Sequence, residues 1–135
     1  MTNKDLDKEK LTGIVALFIH ASKIDKSFTQ KEKEIISNFL KFFTEEEDVI
    51  KEIMNKAEQL ETNSNQLLSF TQIIKNSSLE SKAIIIKHLW KIILSDNSAD
   101  EYETNLMRRV CGLLYFPDKD SGEIKLEVIK QKDER

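Results

Sequence analysis

The chain has 135 residues, of which 33% are charged, with a formal net charge of -3. That length suits one domain with a real core. The balance of charge gives no global attraction to nucleic acid or anionic lipid. A single cysteine, Cys111, excludes an intrachain disulfide framework and a Cys-rich zinc site, and it points to a reducing cytoplasm. Three glycines and one proline leave little punctuation for a sheet protein, so an all-α domain is expected. The polar start MTNKDLDKEK lacks the pattern of a signal peptide. No apolar stretch reaches the roughly 20 residues of a membrane span, so no membrane insertion is expected.

In chain order, Leu11, Ile14, Val15, Phe18 and Ala21 share one face of a first helix running from Lys4 to about Lys23. Gly13 interrupts it at a cost of about 1 kcal/mol, which implies close packing against a neighbour. Thr29 and Glu32 stand at the spacing of a capping box and start a second helix near Gln30, with Ile35, Ile36, Phe39, Leu40, Phe42 and Phe43 as its apolar set. Thr44 and Glu47 repeat the device before a third helix whose stripe is Val49, Ile50, Ile53, Met54, Ala57 and Leu60. The polar run from Glu61 to Gln66 reads as a surface loop.

A short fourth helix carries Leu67, Leu68, Phe70, Ile73 and Ile74. Ser77 and Glu80 cap a central fifth helix, in which Ala83 to Leu94 is apolar on nearly every side, as suits the middle of a bundle. Trp90 belongs to its core. After an acidic break, Leu106, Met107, Val110, Cys111, Leu113 and Leu114 make a sixth helix amphipathic, with Arg108 and Arg109 outward or at its edge. Pro117 marks a boundary, and residues 117–135 form a short terminal helix or tail beyond a core of about 4–116. The fold expected is a single-domain bundle of about six to seven helices.

The first and fifth helices, and the second and sixth, coincide at an offset of 71 residues: Ile14 falls on Ile85, Phe18 on Leu89, Ile36 on Met107 and Phe39 on Val110. At the same offset Asp25 falls on Asp96 and Glu32 on Glu103, so the chain holds two related helix-loop-helix hairpins. Capping accounts for Glu32, Asp100 and Glu103. Asp25 and Asp96 fit capping less well, because a carboxylate near a helix C-terminus meets the negative end of the dipole. An Asx-turn could offset them, and so could a hard cation, of calcium or magnesium type, held by Asp96, Asp100, Glu103 and loop carbonyls. An EF-hand is rejected, since Glu101 stands at the glycine position and Met107 at the bidentate glutamate.

The two breaks, Ser22-Lys23-Ile24-Asp25-Lys26-Ser27-Phe28-Thr29-Gln30-Lys31-Glu32 and Leu94-Ser95-Asp96-Asn97-Ser98-Ala99-Asp100-Glu101-Tyr102-Glu103, resemble the repeated motif of the tellurite-resistance TerB-like family. That family also includes the N-terminal region of a membrane-anchored DnaJ-type co-chaperone. The resemblance covers about Leu11 to Leu114. It implies an all-helical bundle built on a pseudo-repeat, with paired acids forming a surface that holds metal ions in some members. Where the family has glycine after the Asp, this chain has Lys26 and Asn97. The His-Pro-Asp signature of a J-domain is absent, so that activity is not carried over.

No Ser-His-Asp, Cys-His or Gly-rich phosphate motif can be assembled, and His20 and His88 have no partner at metal-ligand spacing. A non-enzymatic protein is expected. Two readings stand: a stress- or tellurite-resistance-associated accessory protein whose hairpin acids Asp25, Glu32, Asp96, Asp100 and Glu103 bind a divalent cation, and a metal-free helical module that binds a protein partner while those acids cap helices.

Overall fold

The structure is a computed structural model that describes residues 7–23, 30–64, 66–96 and 101–133, with the side chains of 96, 101–103, 132 and 133 left outside that description. Seven α-helices and no strand occur among the described residues: α1 (Lys8–Lys23), α2 (Gln30–Lys41), α3 (Glu47–Asn63), α4 (Leu67–Ile74), α5 (Leu79–Ile93), α6 (Glu101–Leu114) and α7 (Asp118–Asp133). A 3-10 turn, Leu94–Asp96, extends α5.

Two central helices organise the bundle. Every residue of α1 from Gly13 to Ile19 is buried, because α2, α3, α4 and α5 all pack around it. Its counterpart α5 is covered by α1, α2, α6 and α7, and buries Ile85, Ile86, Leu89, Trp90, Ile92 and Ile93. α6 closes the bundle against α4, α5 and α7, with Leu106, Met107, Val110, Cys111 and Leu114 inward and both arginines exposed.

The repeat inferred from apolar spacing holds at the level of helix starts: Lys8 and Leu79 open α1 and α5, Gln30 and Glu101 open α2 and α6, each pair 71 positions apart. Ile14 with Ile85, Phe18 with Leu89, Ile36 with Met107 and Phe39 with Val110 are buried as pairs. The close approach expected at Gly13 is present, since a Cβ there would stand 3.0 Å from Ile73 Cγ2 of α4.

Several expectations are corrected. α1 begins at Lys8 rather than Lys4, with Asp7 Oδ1 accepting the backbone N–H of Lys10 at 2.9 Å. Thr44 does not cap α3 by a capping box. Its N–H closes α2 on the Leu40 carbonyl at 3.1 Å, its hydroxyl takes the N–H of Glu46, and α3 starts at Glu47. The cap of α5 is Ser78 rather than Ser77: Ser78 Oγ accepts from the Ser81 N–H at 3.1 Å, while Ser77 Oγ is buried with no hydrogen-bond partner among the described residues. Phe42 and Leu68 are exposed rather than core residues.

The largest correction concerns the tail. Residues Asp118–Asp133 form a full helix that packs along α5. Trp90 explains the docking: its Nε1–H donates to the buried Ser121 Oγ at 3.1 Å, Lys125 Nζ lies 5.1 Å from its ring centroid, and Val128 is buried. The chain turns into α7 through a Schellman motif, in which Phe116 N–H bonds the Cys111 carbonyl at 2.8 Å and Tyr115 N–H the Gly112 carbonyl at 3.3 Å. Tyr115 takes the left-handed position at φ 57°.

Candidate functional site

Of the five candidate acids, only Glu32 has a described side chain. Asp25 and Asp100 lie outside the described residues, as do Thr29 and the side chains of Asp96 and Glu103. The backbone of Asp96 ends the 3-10 turn, and that of Glu103 lies in the first turn of α6. Glu32 occupies the equivalent first turn of α2, where the helix dipole favours a carboxylate, and is only 6% exposed.

A lysine joins the start of α2 to the end of α5. Lys31, at the start of α2, donates from Nζ to the backbone carbonyl of Ser95 at 2.6 Å, next to Asp96 at the end of α5. A cation of the chain itself thus sits where the α5 dipole is negative. Among the described residues no group of three or more His, Cys, Asp or Glu side chains is placed to hold a metal ion. The full candidate set consists of carboxylates and loop carbonyls, hard oxygen donors that suit calcium or magnesium.

Two other titratable groups, Glu61 and Cys111, are tied into the packing. Glu61, which the polar run had placed in a surface loop, lies in the last turn of α3 and is 4% exposed. It accepts from Lys23 Nζ at 2.5 Å and pairs with His20 Nδ1 at 3.2 Å. Burial pushes its carboxyl up, but the hydrogen bonds from Lys23 and His20 outweigh burial and hold it below the ordinary carboxylate range. The missed signal was the α3 stripe itself: Ile50, Ile53 and Ala57 lead, four residues on, to Glu61. Cys111 is buried in the core, and burial raises its thiol, so it behaves as a small hydrophobe.

A cleft of about 600 Å³ opens between α2, α5 and α7, with Ile35, Phe42, Leu94 and Val128 among its apolar walls. His88 lines it and is 8% exposed. Its Nδ1 lies 2.9 Å from the Ile84 carbonyl, and its ring meets Phe39 and Phe42 edge-on at centroid distances of 4.9 and 6.3 Å. Burial lowers the imidazole to about 4, against the bond to Ile84 and with smaller contributions from Lys91 and Lys87, so the ring is neutral at pH 7. Phe42, at the mouth of the cleft, is 70% exposed.

The family model described as tellurite resistance protein TerB matches residues 11–126. The chain belongs to the TerB family. No curated protein and no solved structure matches it. The TerB match takes in both hairpins of the pseudo-repeat and runs into α7 as far as residue 126, which makes the first half of that helix part of the family region. The observed all-α bundle is the TerB architecture that the hairpin motifs imply. No described helix of this TerB protein is long and apolar enough to cross a membrane.

Proposed function

We propose that this TerB-family protein is a non-enzymatic, cytoplasmic accessory protein of tellurite or stress resistance, whose hairpin breaks bind a divalent cation of calcium or magnesium type. Asp96, Asp100 and Glu103 of the second break are the principal ligands, with Asp25 and Glu32 contributing from the first. The observation that carries the reading is the 2.6 Å bond from Lys31 Nζ to the Ser95 carbonyl, which draws the start of α2 to the end of α5. The described edges of the two breaks, Lys31 and Ser95, then stand side by side. Asp96 follows the C-terminus of α5, where the dipole disfavours a carboxylate, and a divalent cation would offset that charge and the dipole more fully than one ammonium does.

Isothermal titration with calcium, magnesium, manganese and zinc tests this. Saturable heats are expected for calcium or magnesium, and they should vanish on Asp96→Ala plus Glu103→Ala. Heats unchanged by that pair sink the reading.

The 6% exposure of Glu32 favours a second reading, a metal-free helical module that binds a protein partner while the acids only cap helices. In that case the same double substitution lowers the melting temperature equally with and without chelator, and a pull-down with the full chain recovers a partner.

A further inference from the structure

We propose that α7 is an exchangeable element: two copies of this chain form a closed dimer in which each α7 docks on the α5 of the other copy. The exchange is independent of the cation reading of the hairpin breaks.

The hinge carries the inference. Tyr115, Phe116 and Pro117 alone join Leu114, the last residue of α6, to Asp118, the first of α7. To turn within so short a link, Tyr115 takes φ 57°, a conformation costly for a residue with a Cβ. A short turn under such strain favours exchange, because an opened hinge returns to ordinary backbone angles while the docking contacts are remade on a second copy. Phe116 is buried, and with the opening at Tyr115 it travels with α7 into the equivalent place on that copy.

The docking face suits exchange as well. Trp90 Nε1–H donates to Ser121 Oγ at 3.1 Å, Lys125 Nζ stands 5.1 Å from the Trp90 ring centroid, and Lys87 pairs with Glu127 at 3.3 Å. The α7 of a second copy has the same sequence and can make each of these contacts. On its α2 side the helix borders the cleft of about 600 Å³ rather than a packed seam. Tyr115 gives a further sign, since its aromatic side chain is 74% exposed in the single chain. In a two-fold exchange the hinges pass one another near the axis, where the two Tyr115 rings meet and are buried. The cleft then becomes a joint product, with its α2 and α5 walls from one copy and its third wall from Val128 and Gln131 of the partner subunit.

The test takes the full chain to about 1 mM in size-exclusion chromatography with light scattering. A dimer that forms and dissolves slowly is expected, since α7 must leave α5 before either change. Its connectivity is read after refolding an equal mixture of ¹⁵N-labelled and ¹³C-labelled chains. Nuclear Overhauser contacts from the Trp90 indole N–H of one chain to the Ser121 β-protons of the other are expected in the dimer fraction. Tyr115→Gly relieves the turn in the monomer, and because each dimer holds two hinges it should raise the dissociation constant roughly thirtyfold. Inserting Gly-Ser-Gly after Tyr115 slackens the turn without altering α7 and should leave only monomer. A monomer at every concentration, a dimer whose Trp90 to Ser121 contacts stay within one chain, or a dimer no weaker in either hinge variant would overturn the proposal.

Discussion

Gly13 of α1 and Ile73 of α4 are packed backbone to side chain: a Cβ on residue 13 would meet Ile73 Cγ2 at 3.0 Å and its Cβ and Cδ1 at 3.1 Å. Ile73 cannot swing away cheaply, since its own Cβ is among the crowded atoms. Gly13→Ala should therefore destabilise the protein by roughly 1–2 kcal/mol despite the better helix propensity of alanine. Gly122→Ala, where nothing stands within 4 Å, should stabilise by about 0.5–1 kcal/mol. Urea midpoints of the two variants should move in opposite directions, and Ile73→Ala should restore part of the loss at residue 13.

At the end of α6, Tyr115 holds a left-handed conformation with φ 57° while its side chain is 74% exposed. A tyrosine there carries a steric cost and gains little from burial. Tyr115→Gly should raise stability by about 1 kcal/mol, read as a higher thermal midpoint with an unchanged helical circular dichroism spectrum.

Adjacent serines before α5 should respond with opposite signs. Ser78 Oγ accepts the Ser81 N–H at 3.1 Å, so Ser78→Ala removes a cap and should cost about 1 kcal/mol. Ser77 Oγ is buried with no partner among the described residues, so Ser77→Ala should be neutral or stabilising by up to about 1 kcal/mol. Chemical denaturation of both variants under one set of conditions is the check.

Glu61 ties the C-terminal turn of α3 to α1 through Lys23 and His20. Its folded carboxyl titrates below its ordinary value, so the stability it supplies is complete above the unfolded carboxylate range and is lost as pH falls through the lowered folded value. Glu61→Gln should cost roughly 1–3 kcal/mol at pH 7, and the difference from the parent should shrink below about pH 4. A difference that stays constant with pH would contradict the ion pair.

His88 has the opposite charge type and the same direction of pH effect. Unfolded, it binds a proton near its ordinary value of 6.5; folded, it does so only near about 4, chiefly because it is buried. Between those values the unfolded chain holds the extra proton, so stability is full above pH 6.5 and falls as pH drops toward 4. The loss should be on the order of 3 kcal/mol, and His88→Phe should reduce it. The ring C–H resonances of His88 should show no titration between pH 7 and 5 in the folded protein.

The helix number, the apolar faces and the repeat could be read from the chain because each is a local or periodic property. The spacing of Ile14, Val15 and Phe18 recurs at Ile85, Ile86 and Leu89, and the helix starts keep the same register. Burial of Trp90 and Cys111 followed from their places on apolar faces. The candidate acids were legible as a repeated pattern, and among them the structure describes the Glu32 side chain, in the first turn where capping would put it.

What only the tertiary structure decided depends on residues distant in sequence. Glu61 looked like the start of a polar loop because its partners, Lys23 and His20, lie some forty positions earlier and enter only when α1 and α3 pack. The terminal segment looked weak by periodicity, yet Trp90 and Lys87 of α5 hold it as a helix through Ser121, Lys125 and Glu127. The bond from Lys31 to the Ser95 carbonyl and the cleft beside His88 arise in the same way. Local periodicity determines which face of each helix is apolar; which side chains then meet across the bundle is settled by packing, because those contacts carry no signature at short sequence range.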